Sequence, residues 1–329
     1  MTTRVWNGGI ANFFSAAAWT PRGQPVSGDS LDIVGGTAKV SRQVLDGLSI
    51  QLGEAPLNVT NPGPALLELR NGTIAANTTV AVGGITLGAT NSGSSSATID
   101  AFAHNVNDGT ISVAGFAPQP GVFPNPAQLA IDLNGSGSTF VNDGTLRTAS
   151  TPTTLVVEGQ NNTDVLTNNG LIDDGSVVQL NLKVIGVGKM QFGAPYYIGP
   201  SPHALTGPEI DTTGAVGFGQ TVDFMAASGV DSHGQLSIGD PQDFHALIKD
   251  FVTSPIVPPG IAPLFKEDMI SLNLPNLTSS AYQSNATGGV LTLTAGSEVA
   301  HLRFAGSYSL SSFQITTSST GTDVIIKPT

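Results

Sequence analysis

Short runs in which apolar and polar residues alternate recur along the whole chain, separated by turns rich in Gly, Asn and Asp. An alternation with a period of two residues is the pattern of a strand with one buried face. Each run has about four to six residues, which is an ordinary strand length. The clearest runs are 65–69, 79–82, 129–133, 154–157 and 177–182. The pattern predicts an all-β protein built from many short strands.

Helical periodicity is confined to two segments, 10–19 and 241–251. In the second segment, Asp240 stands at the position of an N-cap residue and Pro241 at the first helical position. The spacing i, i+3, i+4, i+7 of one helix face is occupied by Phe244, Leu247, Ile248 and Phe251. We therefore expect one or two helical turns there.

A phrase of Asn, Gly and an apolar residue recurs at 71–74, 107–111, 142–146 and 168–172, with its glycines 37, 35 and 26 residues apart. Asn-Gly and Asp-Gly turns tolerate positive φ, but they also mark hairpins. Because the same turn leads into the same kind of apolar strand each time, the repeat favours stacked coils over separate hairpins. The sequence thus predicts a right-handed parallel β-helix (a β-solenoid) with coils of roughly 20 residues.

Proline-rich segments interrupt the repeat at 118–126, 195–208 and 255–263. Proline lacks the N–H that a strand ladder needs, so these segments are expected to be loop excursions from the coils. The second segment, 195–208, is the best candidate for a boundary between two parts of the chain. We expect residues 1–200 to form the β-solenoid with an N-terminal cap. Residues 201–329 should form a β-rich region that either continues the solenoid or is a small β domain, and that carries a secretion signal.

Composition narrows the classes of function. The chain has no cysteine, which excludes disulfides, thiolate metal sites and cysteine nucleophiles. A net charge of −12 with scattered Lys and Arg argues against nucleic acid or an anionic membrane as a partner. No apolar run is long enough for a transmembrane helix, and the N-terminus lacks the pattern of a signal peptide.

Both ends of the chain resemble known secreted proteins. The progression of motifs at 6–9, 19–25 and 28–33, with its two Trp residues and its Gly-Asp, resembles the opening coils of bacterial surface and autotransporter-passenger-like β-helices. The C-terminal part resembles the end of type I-secreted proteobacterial proteins, on the runs 236–238, 268–272, 288–293, 302–308 and 321–326. The resemblance implies export through an uncleaved C-terminal signal. The Gly-Gly-x-Gly-x-Asp calcium repeat of many such proteins is missing.

No catalytic or cofactor-binding constellation stands out in the sequence. There is no nucleophile elbow, P-loop or dinucleotide fingerprint, and none of the five histidines has the spacing of a zinc site. The adjacent acids Asp173 and Asp174 fit a turn in which they bond their own backbone. Asp100, Asp132 and Asp164 lie beside strands with no Lys or Arg near them in sequence. Stacked coils could still bring these acids together into a polysaccharide lyase or hydrolase site.

Two further groups are candidates for binding or assembly. Calcium prefers hard oxygen ligands, and the weak candidates for it are Asp240, Asp243, Asp250 and Asp268. The aromatic residues near the start are either a cap that plugs the first coil or an exposed end that contacts another subunit; they are Trp6, Phe13, Phe14 and Trp19. No other cofactor is expected.

These observations predict an extracellular or cell-surface bacterial structural protein that associates with itself end to end in a filament, a sheet or a biofilm matrix. Uncapped solenoid ends join in this way. One alternative is a carbohydrate-binding adhesin module, which requires an exposed aromatic or Asn/Asp-lined groove for an extracellular polysaccharide. The second alternative is a polysaccharide lyase or hydrolase, which requires a cleft with two carboxylates and a cation.

Overall fold

The computed structural model describes residues 2–33, 35–52, 65–82, 95–113, 127–148, 153–192, 208–224, 234–251 and 268–326. Across these ranges the chain is all-β, with largely parallel strand pairing and no α-helix, which confirms the predicted class. None of the described helices is long and apolar enough to cross a membrane.

The chain divides into two compact units, Met1–Leu171 and Ile172–Thr329. The domain boundary expected after residue 200 falls in 193–207, outside the described residues. The proline-rich excursions at 118–126 and 255–263 and nearly all of 195–208 fall outside them as well.

Sixteen strands and one 3-10 helix are described in the first unit. They are β1 (Thr3–Trp6), β2 (Ile10–Asn12), η1 (Ala16–Ala18), β3 (Trp19–Thr20), β4 (Ser30–Ile33), β5 (Gly36–Ser41), β6 (Val44–Leu45), β7 (Ser49–Leu52), β8 (Ala65–Arg70), β9 (Thr73–Ile74), β10 (Thr79–Val82), β11 (Ser95–Asn107), β12 (Thr110–Val113), β13 (Ala127–Asn142), β14 (Thr145–Thr148), β15 (Thr153–Gly159) and β16 (Val165–Asn168).

These strands form two sheets and a third row. Sheet A has the order β3-β1-β4-β7-β10-β12-β14, and sheet B has the order β2-β5-β8-β11-β13-β15. The third row consists of β6, β9, the C-terminal parts of β11 and β13, and β16. The chain passes repeatedly from sheet A to sheet B to the third row, and each such circuit pairs in parallel with the one before it.

Parallel register places the inward side chains of successive circuits directly above one another. In sheet A one such column, paired residue to residue, is Leu31, Ile50, Val80, Ile111 and Leu146. All five side chains are buried, and burial of one aliphatic side chain stabilises the fold by roughly 1.5–3 kcal/mol. The alternation in the sequence therefore codes for continuous apolar columns.

The corresponding column of the third row changes from apolar to polar along the unit. It begins with Leu45 and Ile74 and continues with Asn107, Asn142 and Asn168, all fully buried. Asn107 Nδ2 donates to Asn142 Oδ1, and Asn142 Nδ2 donates to Asn168 Oδ1, each over 2.8 Å. Asn142 therefore both accepts and donates inside the core, so the ladder pairs polar atoms that water cannot reach.

Three of the four repeated Asn-Gly phrases coincide with this ladder. A Cβ on Gly144 would lie 2.1 Å from the carbonyl oxygen of Gly109, and one on Gly170 would lie 2.0 Å from that of Gly144. These glycines are needed for close stacking and not for positive φ. The fourth phrase lies at another corner, before β9, where Asn71 itself has φ 51°.

The predicted coil length of roughly 20 residues is wrong for these circuits. The stacked asparagines are 35 and 26 residues apart in sequence. The segments between sheet A and sheet B account for the difference. Residues 83–94 and 114–126 lengthen their circuits, but the strands that follow them, β11 and β13, still pair in register with their neighbours.

The second unit contains fourteen described strands and one 3-10 helix. They are β17 (Leu171–Asp174), β18 (Val177–Asn181), β19 (Lys183–Ile185), β20 (Lys189–Phe192), β21 (Glu209–Thr212), β22 (Thr221–Asp223), β23 (Gln235–Ile238), β24 (Leu247–Lys249), β25 (Met269–Leu272), β26 (Ser279–Ser284), β27 (Gly288–Ala295), β28 (Glu298–Ala305), η2 (Leu310–Ser312), β29 (Phe313–Thr317) and β30 (Thr322–Ile326).

Both sheets of this unit end in antiparallel strands. Sheet C has the order β17-β20-β22-β24-β28-β27-β26, and sheet D has the order β18-β21-β23-β25-β30-β29. The pairing is antiparallel from β28 to β26 and from β25 to β29. The core holds a run of aromatic rings in contact, in which Phe224 lies 4.5 Å from Phe192 and 5.0 Å from Phe251 between ring centroids.

The helix predicted over 241–251 is absent, and this prediction is wrong. The segment contains strand β24, and the buried positions are Phe244, Ala246 and Ile248, at a spacing of two residues. The helical spacing passes over Ala246, which is a core residue. Phe251 turns inward after Asp250, whose φ is 53°. The other expected helix, over 10–19, reduces to the single turn η1.

We predict that Asn142→Val lowers the free energy of unfolding by about 2–4 kcal/mol, because it leaves Asn107 and Asn168 without their shared buried partner. Urea unfolding monitored by circular dichroism measures this loss. In a double-mutant cycle, Asn107→Val and Asn142→Val should couple by about 1 kcal/mol or more. The exposed substitution Arg147→Ala is the control, and a loss no larger than the control's would contradict a structural role for the ladder.

Candidate functional site

A polar groove of about 490 Å³ lies on the outward face of sheet D in the second unit. Its floor is a row of in-register neighbours contributed by five strands, β18, β21, β23, β25 and β30. The row consists of Gln179, Asp211, Ser237, Ser271 and Asp323. Outward positions of alternating strands are polar by default, and parallel register aligns them into a continuous strip.

A second line of polar residues follows the ends of the same strands. Thr213 donates its hydroxyl to Oδ1 of Asn181 over 3.3 Å, and Asn273 Nδ2 donates to the carbonyl oxygen of Gly239 over 3.3 Å. All four residues line the groove. The groove, defined by these residues and the floor row, therefore presents amide, hydroxyl and carboxylate groups along its length.

Charge in the groove is of one sign. Its lining contains Asp211 and Asp323 and has no Lys, Arg or His among the described residues. Ser271 donates its hydroxyl to Asp323 over 2.8 Å. Beside Asp211, burial raises the pKa of Glu209, and the neighbouring charge of Asp211 raises it further. The groove is thus an environment of negative potential.

The spacing of these carboxylates bears on chemistry. Asp211 and Asp323 are separated by three inter-strand steps, about 14 Å, whereas glycosidase carboxylate pairs lie about 5–9.5 Å apart. Glu209 and Asp211 are two residues apart on one strand, where the charge of Asp211 contributes to the raised pKa of Glu209. The arrangement is suited to binding a hydroxyl-rich molecule through several hydrogen bonds.

The first unit carries a column of charged residues on the outward face of sheet B. In register, it consists of Lys39, Glu68, Asp100, Asp132 and Glu158. The stacking anticipated from the sequence thus does bring Asp100 and Asp132 together. Lys39 Nζ lies 3.0 Å from Glu68 Oε2. This ion pair is at the opposite end of the column from Asp132 and Glu158. Asn134 Nδ2 donates to Asp100 over 3.0 Å.

Within this column Asp132 has an altered proton affinity. Burial raises its pKa to about 6, with further contributions from the charges of Glu158 and Asp100. The pKa of Asp100 is also raised, mainly by burial. The column is therefore a place where carboxyl groups hold protons in the folded state more tightly than in the unfolded chain.

The other acids considered in the sequence have local structural roles. Asp164 accepts hydrogen bonds from the backbone N–H groups of Ser138 and Asn161. Asp174 accepts one from the N–H of Ser176, two residues ahead. The second contact is the turn interaction predicted for the pair Asp173 and Asp174.

The four aspartates proposed as weak calcium ligands are not brought together. Asp268 is buried and accepts a hydrogen bond from the N–H of Gly234, whereas Asp243 and Asp250 are exposed. In the part of the chain that the structure describes, no three His, Asp or Glu side chains converge on a point that could hold a metal ion.

The N-terminal aromatic residues form a buried plug in the first unit. Trp6, Phe13 and Trp19 are 0–2% exposed, and Trp19 packs edge-on against Trp6 at 5.0 Å and Phe13 at 5.3 Å. Trp19 Nε1 donates to the carbonyl oxygen of Phe13 over 2.6 Å. Phe14 lies at the edge of this cluster, half-buried against Phe13. This packing is that of a cap, and Trp6, Phe13 and Trp19 are too deeply buried to contact a second subunit.

One exposed aromatic group escaped the sequence analysis. Phe218 is 67% exposed and stacks on His245, with ring centroids 4.2 Å apart. The guanidinium of Arg303 lies 5.4 Å from the Phe218 ring and donates to the carbonyl oxygen of His245. Gly217 and Gly219 flank Phe218, so the alternation of apolar and polar residues that would predict the exposure of Phe218 is missing there.

The groove was also missed, although a signal for it exists. Strands β21, β23 and β25 share a pattern of four positions. The first position is polar or Met, the second is Ile or Leu, the third is Asp or Ser, and the fourth is Thr, Ile or Leu. Aligning these runs would have placed Asp211, Ser237 and Ser271 in one row. The unequal segments between the strands concealed the repeat.

The chain matches no protein-family model, and no curated protein is significantly similar to it in sequence.

We predict that Asp132→Asn raises stability at neutral pH. A carboxyl whose pKa is raised in the folded state destabilises the fold as pH rises from about 4 to about 6, because the folded protein resists losing the proton. The variant should therefore be more stable than the wild type by about 1 kcal/mol at about pH 7.5, after allowance for solvent screening. At about pH 4 the difference should vanish.

Urea unfolding at the two pH values measures this difference. Asp108→Asn, which removes an exposed carboxylate outside the column, controls for net charge. A stability gain equal at both pH values, or equal in the control, would contradict the prediction.

Proposed function

We propose that this protein is an extracellular or cell-surface right-handed parallel β-helix that binds a polysaccharide in the polar groove of its second unit. The handedness rests on the strong preference for right-handed crossovers between parallel strands of one sheet. The surface location rests on the resemblance of both chain ends to secreted bacterial proteins, together with the absence of cysteine and the scarcity of Lys and Arg.

The observation that carries the binding proposal is the in-register polar strip of the groove. It combines hydroxyls, amides and carboxylates across five adjacent strands, which is the set of donors and acceptors that recognises sugar hydroxyls. Strands repeat at about 4.8 Å, so a linear glycan lying across them meets a similar set of partners at each step. The carbohydrate-binding alternative called for an Asn/Asp-lined groove of this kind.

The proposal predicts that the full chain binds at least one polysaccharide or oligosaccharide in a glycan array, and that binding depends on the groove. Ser237→Ala combined with Asn273→Ala should weaken binding about tenfold, because each removes a hydrogen bond of about 0.5–1.5 kcal/mol. The control is Ser279→Ala with Ser284→Ala on β26, outside the groove. Loss of binding in the control alone, or no binding to any glycan, would overturn the proposal.

Self-association into a surface filament, sheet or matrix is the second proposed function, and open strand edges support it. In the first unit, β2 is the outermost strand of sheet B, and its Ile10 is 73% exposed. In the second unit, β26 and β29 are the outermost strands of sheets C and D. An unpaired edge is a template for pairing with another chain, and a head-to-tail contact that does not close gives a fibre.

This second function predicts ordered assemblies in negative-stain electron microscopy of the concentrated protein. Ile10→Lys should abolish them, because a charge on the edge strand opposes pairing. Val187→Lys, at a side chain that is 75% exposed in the second unit, is the matched control. A wild-type protein that stays dispersed at high concentration, with and without calcium, would contradict self-assembly.

A further inference from the structure

The position of the carboxylates in the groove carries information about the ligand beyond its being a glycan. Within the strip, Asp211 and Asp323 lie on either side of Ser237 and Ser271, and Gln179 lies beyond Asp211. This part of the strip therefore has a negative group, two hydroxyls and a negative group in order, over about 14 Å.

No positive side chain of the described residues compensates this charge inside the groove. Glu209, which lies beside Asp211, and Asp323 both accept hydrogen bonds from neutral groups. Glu209 accepts hydrogen bonds from Gln235 Nε2 over 3.2 Å and from the Ser237 hydroxyl over 3.4 Å. Asp323 accepts one from Ser271 over 2.8 Å.

A charge arrangement of this kind discriminates among glycans. A polyuronate would place its carboxylates against Asp211 and Asp323, and like charges in close contact oppose binding. A neutral glycan would bond to the hydroxyls and amides alone. A glycan with free amino groups would add ammonium–carboxylate hydrogen bonds, which are stronger than neutral ones.

We propose that the groove selects a glycan carrying free amino groups, with ammonium groups of the sugar chain bound by Asp211 and Asp323 and its hydroxyls bound by Ser237 and Ser271. This inference rests on the proposed glycan-binding function and specifies the substrate class of the same site. About three strand spacings separate the two carboxylates, so the smallest ligand that reaches both is an oligomer of several sugars.

The test is isothermal titration of the full chain with three oligosaccharides of equal length: a glucosamine oligomer, its fully N-acetylated form and an oligogalacturonate. A mildly acidic buffer keeps the sugar amines protonated. We expect the glucosamine oligomer to bind about tenfold more tightly than the acetylated one, with affinity falling as salt rises, and the oligogalacturonate to show no binding.

Asp211→Asn combined with Asp323→Asn keeps the shape of both side chains and removes their charge. This variant should bind the glucosamine oligomer about tenfold more weakly and the acetylated oligomer unchanged. Asp243→Asn combined with Glu298→Gln removes two exposed charges elsewhere in the second unit and should change neither affinity. Unaltered thermal unfolding of the groove variant establishes that it is folded.

The outcomes separate the two proposals. Equal affinity for the free and acetylated oligomers, or binding of the oligogalacturonate, overturns the selection of amino glycans and leaves glycan binding intact. An equal loss in the Asp243 and Glu298 variant shows non-specific attraction to an acidic protein and also overturns it. No binding of any of the three oligomers, together with a glycan array that shows none, removes the proposed function itself.

Discussion

When one strand pairs in parallel and in register with the next, the pairing fixes which side chain of the second strand lies above each side chain of the first. In the first unit this constraint stacks Leu31, Ile50 and Val80 into one buried column, and it does the same for Asn107, Asn142 and Asn168. A polar residue can occupy such a column only if the next circuit supplies a partner. The asparagine ladder meets this condition, and the glycines that flank it let the backbones approach closely enough for the amides to pair.

The same register organises the outward faces. Residues far apart in sequence become neighbours because they occupy equivalent positions of successive strands, as Asp100 and Asp132 do in one unit and Ser237 and Ser271 do in the other. A column of like residues can therefore shift a pKa, and a column of unlike residues can form a graded binding strip. Function in such a fold depends on which residues occupy each column. A substitution in one strand alters the contacts with the residues at the same position of the two neighbouring strands.

The sequence predicted the strands well, because alternation is a local signal that burial of one face imposes. A cap was one of the two interpretations that it left open for the aromatic residues around Trp6 and Trp19. The prediction failed over 241–251, where Phe244, Ile248 and Phe251 fit a helical spacing as well as Phe244, Ala246 and Ile248 fit a strand. The groove could not be derived, since its members are joined only by the register between circuits of unequal length, and residues such as 252–267 separate partners without changing their pairing.

The register between strands underlies both the core and the groove, and disulfide trapping tests it directly because the chain contains no cysteine. Thr98 and Ala130 are paired on the outward face of sheet B, so Thr98→Cys with Ala130→Cys should place the two Cα atoms within the range that a disulfide spans, about 4.4–6.8 Å. Thr98→Cys with Asp132→Cys is offset by two residues on the same face and exceeds that range. Rapid oxidation of the first pair and none of the second is the predicted result; equal trapping of both pairs, or of the offset pair alone, would contradict the stacked fold.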